Sequence, residues 1–128
     1  MFTLGSRSRK NLHGVHPKLV SIVERAIVLT TVDFVVIEGV RSRSRQKENV
    51  ERGVSWTMNS KHLPQIDGYG HAVDLAAWVE GAVAWGPWSL YEAIYKAMSA
   101  AAKENETPIV WGGNWKQKDG VHFELNIL

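Results

Sequence analysis

The segment His71-Ala-Val-Asp-Leu-Ala-Ala-Trp78 is apolar and strand-like, yet it carries a carboxylate, Asp74, in its middle. Burying a carboxylate without a partner is expensive, so a fold that uses this segment as a strand must bring Asp74 a partner from elsewhere in the chain. Two histidine-bearing strings are available. Ser60-Lys-His62 runs ahead of the strand, and Asp119-Gly-Val-His-Phe-Glu-Leu125 lies near the C-terminus. Two histidines, an aspartate and a spare carboxylate are the minimum parts for a hydrolytic zinc site.

At 128 residues the chain is large enough to bury a core but too small for two domains. An apolar fraction of 45% with 22% charged residues belongs to a globular chain. No apolar run approaches the roughly 18 to 20 residues that span a bilayer. Met1-Phe-Thr-Leu-Gly-Ser-Arg-Ser-Arg-Lys10 places its charges after a very short apolar start, the reverse of a signal peptide, so synthesis in the cytoplasm without a visible export signal is expected. The chain has no cysteine, so any metal must be held by His, Asp or Glu. A net charge of +2 and a pI near 9.0 favour anionic partners, such as nucleic acid or a bacterial envelope.

The pattern of elements predicts a single α+β domain over residues 1–128. Pro17 suits a first helical turn, and Leu19, Val20, Ile22, Val23, Ala26 and Ile27 recur at helical spacing through to Leu29. Asp33 to Glu38 is short, β-branched and closed by Gly39, which favours a strand, with Arg41 just beyond its end. A short exposed helix is expected over Ser44 to Arg52, stopped by Gly53. His71 to Trp78 reads as a second strand, and Trp88 to about Lys103 as a long helix with Leu90, Ile94, Ala97, Met98 and Ala101 along its apolar stripe. Ile109 to Trp111 and Val121 to Leu125 are strand candidates joined by a glycine-containing loop, Gly112 to Gly120. The candidate metal residues thus fall on strands and their edges, where rigid elements can hold them.

A catalytic zinc takes three protein ligands and keeps a fourth position open for water. His62, Asp74 and His122 would supply that set. The water also needs a proton acceptor that is not itself on the metal, and Asp119, three residues before His122, is the natural candidate. Arg41, at a strand end, offers a fixed positive charge to a substrate carboxylate or a developing oxyanion. His71 is a rival to His62, but in a strand it points to the face opposite Asp74 and ranks second. Glu124 shares the face of His122 and is a candidate neighbour. His13 and His16, ahead of the first helix, read as solvated or capping residues. Of the six tryptophans, at 56, 78, 85, 88, 111 and 115, most are expected in the core, while Trp111 and Trp115 flank the final loop as candidates to line a peptide groove. The run Arg41-Ser-Arg-Ser-Arg-Gln-Lys47 invites a nucleic-acid reading, yet Glu48 and Glu51 interrupt it and no aromatic residue is interleaved. A solvated helix face is preferred.

The full string raises this modest signal. Ser60-x-His62, Gly70-x-Ala-x-Asp-Leu75, Trp111-Gly-Gly-x-Trp115, Asp119-x-x-His-Phe-Glu-Leu125 and Glu38-Gly-Val-Arg-Ser42 with Gln46 after it resemble the zinc D-Ala-D-Ala carboxypeptidase and L-alanyl-D-glutamate endopeptidase family, which includes many phage endolysins. The resemblance spans Phe34 to the C-terminus. It implies a small α+β fold with zinc on a central antiparallel sheet, flanking helices and no separate wall-binding domain. His62, Asp74 and His122 match the family's zinc ligands, Asp119 its acidic catalytic residue and Arg41 its substrate- and transition-state-binding arginine. Ser60 matches a motif serine that braces the site, and Gln46 a position near the substrate. The implied activity is cleavage of peptidoglycan stem peptides, foremost between L-alanine and D-glutamate, by a phage or prophage endolysin. The expected protein is a monomer that binds no nucleic acid, does not insert stably in the membrane and reaches the wall after a separate partner permeabilises the membrane. A D-alanyl-D-alanine carboxypeptidase or dipeptidase of the same family, and a non-catalytic wall- or nucleic-acid-binding module, are the alternatives. One departure stands out: Leu63 to Tyr69 intervene between His62 and Gly70 where family members commonly have two residues. This longer loop leaves open which histidine, His62 or His71, faces Asp74.

Overall fold

The computed structural model describes residues 1–41, 51 and 60–127. The helix expected over residues 44–52 and its stop at Gly53 lie outside the described residues, apart from Glu51, as do Gln46 and Trp56.

The described elements run α1 (Ser6–Asn11), α2 (Pro17–Leu29), β1 (Phe34–Glu38), β2 (Ala72–Val79), β3 (Ala82–Ala84), α3 (Trp88–Glu104), β4 (Ile109–Trp111), a 3-10 turn (Gly112–Asn114) and β5 (His122–Leu125). Every pairing between the described strands is antiparallel, and β2 is the hub. β1 lies along one edge of β2, β5 and β3 share its other edge, and β4 extends the sheet beyond β5. Strand alternation sorts the residues. Val73, Leu75 and Ala77 of β2 and Phe123 and Leu125 of β5 join the core with Leu19, Ile22, Val23, Ile94 and Met98 of the helices. Asp74 therefore occupies the opposite face, flanked on its own strand by Ala72 and Ala76 and carrying His122 as its partner across β5. Between Val36 and Glu38 the β1 register shifts, so that Val36 opposes Leu75 while Glu38 opposes Asp74. This irregularity turns Glu38 onto the face of Asp74, which strict alternation from Val36 would also have denied it, since Val36 is in the core.

Two elements escaped the sequence reading. β3 forms a hairpin with β2 through Glu80 and Gly81, at φ 50° and 82°, the left-handed pair that a two-residue turn requires. The Tyr91 hydroxyl holds it by donating to the Ala84 carbonyl at 2.7 Å. α1 has no apolar stripe, but it protects β1: Ser8 Oγ accepts the Val36 N–H at 3.0 Å, and Asn11 Nδ2 donates to the Val36 carbonyl at 2.8 Å. Without them Val36 would show unpaired backbone groups on an edge strand. Gly39 is needed for this approach, because a Cβ there would fall 1.9 Å from the Asn11 carbonyl oxygen.

The tryptophans depart from expectation. Trp111 is buried and stacks on Tyr95 at 4.4 Å, so it belongs to the core rather than to a groove. Trp85 and Trp88 are exposed, although most of the tryptophans are expected in the core.

Candidate active site

Three elements meet around Asp74. β2 carries it, β5 places His122 directly opposite, and the segment after Ser60 delivers His62 from the side of β1. His62 Nε2 lies 3.1 Å and His122 Nδ1 3.3 Å from the same oxygen, Asp74 Oδ1. The two imidazoles stand 5.1 Å apart at 74°. One ligand atom from each of the three residues falls within 4.8 Å of the others, a spacing that could hold a metal ion.

The opposite ring nitrogens decide how these histidines present themselves. His62 Nδ1 is 2.8 Å from the Gly39 carbonyl, which can only accept, so Nδ1 carries a proton and Nε2 is the nitrogen turned to Asp74. His122 Nε2 is 2.8 Å from Glu124 Oε1, which likewise leaves Nδ1 for the shared centre. Anchoring each imidazole through its far nitrogen to a carbonyl or carboxylate is the arrangement of metal-binding histidines, and the donor set of two imidazoles and one carboxylate suits zinc. Glu124, weighed from sequence only as a neighbour, thus acts on His122 directly.

The electrostatics follow the same geometry. Burial would raise the Asp74 carboxyl, but the hydrogen bonds from His122 and His62 and their charges outweigh it and hold it well below the ordinary range. Burial would lower His122, yet its bonds to Asp74 and Glu124 push it up to about 9. Asp119 goes the other way from Asp74: burial and the nearby Asp74 charge raise its carboxyl, against the smaller pull of His122, His62 and Arg41. A carboxyl that holds a proton readily sits beside one that does not.

Asp119 reaches this position through a closed loop. Its N–H donates to the Gly112 carbonyl at 2.9 Å, and its own carbonyl accepts the His122 N–H at 3.2 Å. Trp115, in the same loop, sets its ring 5.0 Å from that of His122. Ser60 Oγ accepts the His62 N–H at 3.1 Å, a contact within the site's own backbone. Arg41 is tied to the site twice. Its N–H donates to the His62 carbonyl at 2.8 Å, and its guanidinium grips Glu38 in a fork, with Nε to Oε1 at 2.8 Å and Nη2 to Oε2 at 2.5 Å. The sequence reading had missed Glu38 as the residue that orients Arg41, although Glu38-x-x-Arg41 was in plain view.

The loop from Leu63 to Tyr69 folds back on itself. Gln65 N donates to the Tyr69 carbonyl at 2.8 Å, and Gly68 N to the Gln65 carbonyl at 2.8 Å. Its Asp67 takes His71, with Nε2 at 2.7 Å from Oδ2, and stands 3.8 Å from His16 Nε2. His71 is thereby turned away from Asp74, which leaves His62 there. His16 caps α2, its Nδ1 accepting the Lys18 N–H at 3.1 Å.

Known proteins resemble this chain in sequence and in fold. The model of the phage L-alanyl-D-glutamate peptidase family matches residues 1–127. The chain is 29% identical over 127 residues to an L-alanyl-D-glutamate peptidase of Escherichia phage T5, covering 97% of this chain and 89% of the relative. It is also 29% identical over 96 residues to an L-alanyl-D-glutamate peptidase of Listeria phage A118, covering 74% of this chain and 31% of that longer protein. Among solved structures, the L-Ala D-Glu endopeptidase ChiX of Serratia marcescens superposes with a TM-score of 0.87 at 43% identity, over 98% of this chain and 90% of the other.

Proposed function

The chain belongs to the phage L-alanyl-D-glutamate peptidase family, and from this we propose a zinc-dependent endolysin that hydrolyses the L-alanyl-D-glutamate bond in peptidoglycan stem peptides. The observation that carries the proposal is the convergence of His62, Asp74 and His122 within 4.8 Å, each histidine anchored through its other nitrogen, with Asp119, whose carboxyl burial and Asp74 raise, alongside. Zinc held by these three residues would supply Lewis acidity toward the scissile carbonyl and a water acidified to a pKa of about 7.

Asp119 takes the proton from the attacking water as the new C–O bond forms, then delivers it to the glutamyl nitrogen as the C–N bond breaks. Its raised proton affinity suits both steps. Arg41, held by Glu38, sets a fixed positive charge toward a substrate carboxylate or the developing oxyanion. Trp115 lines the substrate side beside His122, and Ser60 braces His62 there. The enzyme works as a monomer on the wall once a separate partner has permeabilised the membrane. Among the described residues no helix is long and apolar enough to cross a membrane.

Digestion of purified peptidoglycan with and without a chelator, with the products analysed by mass, tests this. Fragments with a new N-terminal glutamate should appear, vanish with the chelator and return with zinc. Folded Asp119→Asn should lose at least about 100-fold in rate. Wild-type rates in Asp119→Asn or His122→Ala, or indifference to the chelator, would refute it.

A further inference from the structure

Asp119 borders a second feature. A cleft of about 240 Å³ opens between the start of α3 and the segment leading into β5, lined by Trp85, Trp88, Tyr91, Lys118, Asp119 and Val121. Its aromatic wall is unusual in being left to solvent, with Trp85 69% and Trp88 39% exposed. Large apolar rings held open next to a reacting group suit ligand contact better than folding. Trp88 is nonetheless fixed, stacked on Trp111 at 5.5 Å and lying so close to Gly120 that a Cβ there would come within 2.8 Å of the indole. Over this ring stands the Lys118 ammonium, 5.2 Å from its centroid. Among the described residues Lys118 makes no ion pair, whereas Arg41 is already gripped by Glu38.

The chemistry of the proposed reaction says what should fill the cleft. Asp119 must reach the leaving nitrogen, so the residue on the leaving side has to lie against it. That residue is a glutamate. A glutamyl unit has two carboxyl groups and can use only one to continue the chain, so a free carboxylate travels within a few bonds of the scissile nitrogen. We infer that the cleft is the leaving-side subsite, in which Lys118 binds the free carboxylate of the glutamyl residue and Trp85 and Trp88 receive its methylenes. The inference rests on the peptidase reading above. It adds a specificity determinant: the enzyme distinguishes stem peptides by whether that carboxyl is free or amidated, through an ion pair with Lys118 that a neutral amide cannot form.

The test uses two synthetic peptides, each containing the L-alanyl-D-glutamate bond, one with the free carboxyl and one with the carboxamide. Wild-type enzyme should prefer the acid by about three- to tenfold in kcat/KM, mainly through KM, and high salt should shrink the preference. Lys118→Gln should bring the two peptides to the same kcat/KM, and Trp85→Ala should raise KM for both. A preference absent in the wild type, or surviving in Lys118→Gln, overturns the assignment. So does a Trp85→Ala defect confined to substrates that carry the glycan, which would put the sugar in the cleft. Failure of the wild type to cleave either peptide would instead overturn the peptidase reading itself.

Discussion

Replacing Gly112 by alanine should separate catalysis from folding. The backbone at Gly112 does not have the positive φ found at Gly14, Gly68 and Gly81, so what the position demands is room rather than a special conformation. A Cβ there would stand 2.4 Å from the Asp119 carbonyl oxygen, 3.0 Å from Asp119 Cβ and 3.1 Å from His122 Cβ, where ordinary contact begins at 3.4 Å. The first is a backbone atom and cannot swing aside, so the Asp119 segment must retreat by about 1 Å. That movement works against the 2.9 Å bond from Asp119 N to the Gly112 carbonyl that closes the loop. A misplacement of about 1 Å in a reacting group costs on the order of 100-fold in rate. The overpacking itself costs about 1 to 3 kcal/mol, which a domain with a stability of roughly 5 to 15 kcal/mol survives. Steady-state hydrolysis of an L-alanyl-D-glutamate peptide, run beside thermal unfolding, should therefore show kcat down about 100-fold with the fold retained, while Gly5→Ala, where a Cβ meets nothing within 4 Å, keeps wild-type kcat. Wild-type kcat in folded Gly112→Ala would refute the placement of Asp119 as the proton carrier.

Two further outcomes follow from the electrostatics. Glu124→Ala frees His122 Nε2, and zinc affinity measured against a competing chelator should fall about 10- to 100-fold; unchanged affinity would mean that the 2.8 Å contact does nothing to orient the ring. In metal-free protein the Asp119 carboxyl, followed by 13C NMR, should titrate above the ordinary carboxylate range, because burial and Asp74 raise it, and should move down when zinc offsets the Asp74 charge. A raised carboxyl binds its proton more tightly folded than unfolded, so its stabilising contribution is present at low pH and lost as pH climbs through the folded value. An ordinary midpoint without metal would contradict the burial argument.

The elements that carry an apolar pattern of their own were legible in the sequence. α2 was expected from Pro17 to Leu29 and forms over those residues, and β1, β2, α3, β4 and β5 fall within a residue or so of where periodicity and β-branching put them. α1 was not legible, because Ser-Arg-Ser-Arg-Lys-Asn has no stripe to bury and its value lies in two hydrogen bonds to Val36, 25 and 28 residues away. β3 was hidden by its length of three residues.

The candidate site divides along the same line. Residue type and order made His62, Asp74, His122 and Asp119 candidates, since a carboxylate inside an apolar strand needs partners and few residues can serve a metal in a chain without cysteine, and the resemblance of the full string gave them their expected roles. Only the tertiary structure decided which nitrogen of each histidine is free, because that depends on the Gly39 carbonyl, 23 residues from His62, and on the side chain of Glu124. Only it decided that Asp67 draws His71 aside, that a register shift turns Glu38 toward Arg41's end of the sheet, and that Trp85 and Trp88 stay in the open. The physical reason is one of range. Periodicity and residue chemistry are local and can be read along the chain, whereas the direction of a hydrogen bond between distant segments is set by strand register and loop closure, which exist only once the sheet has formed.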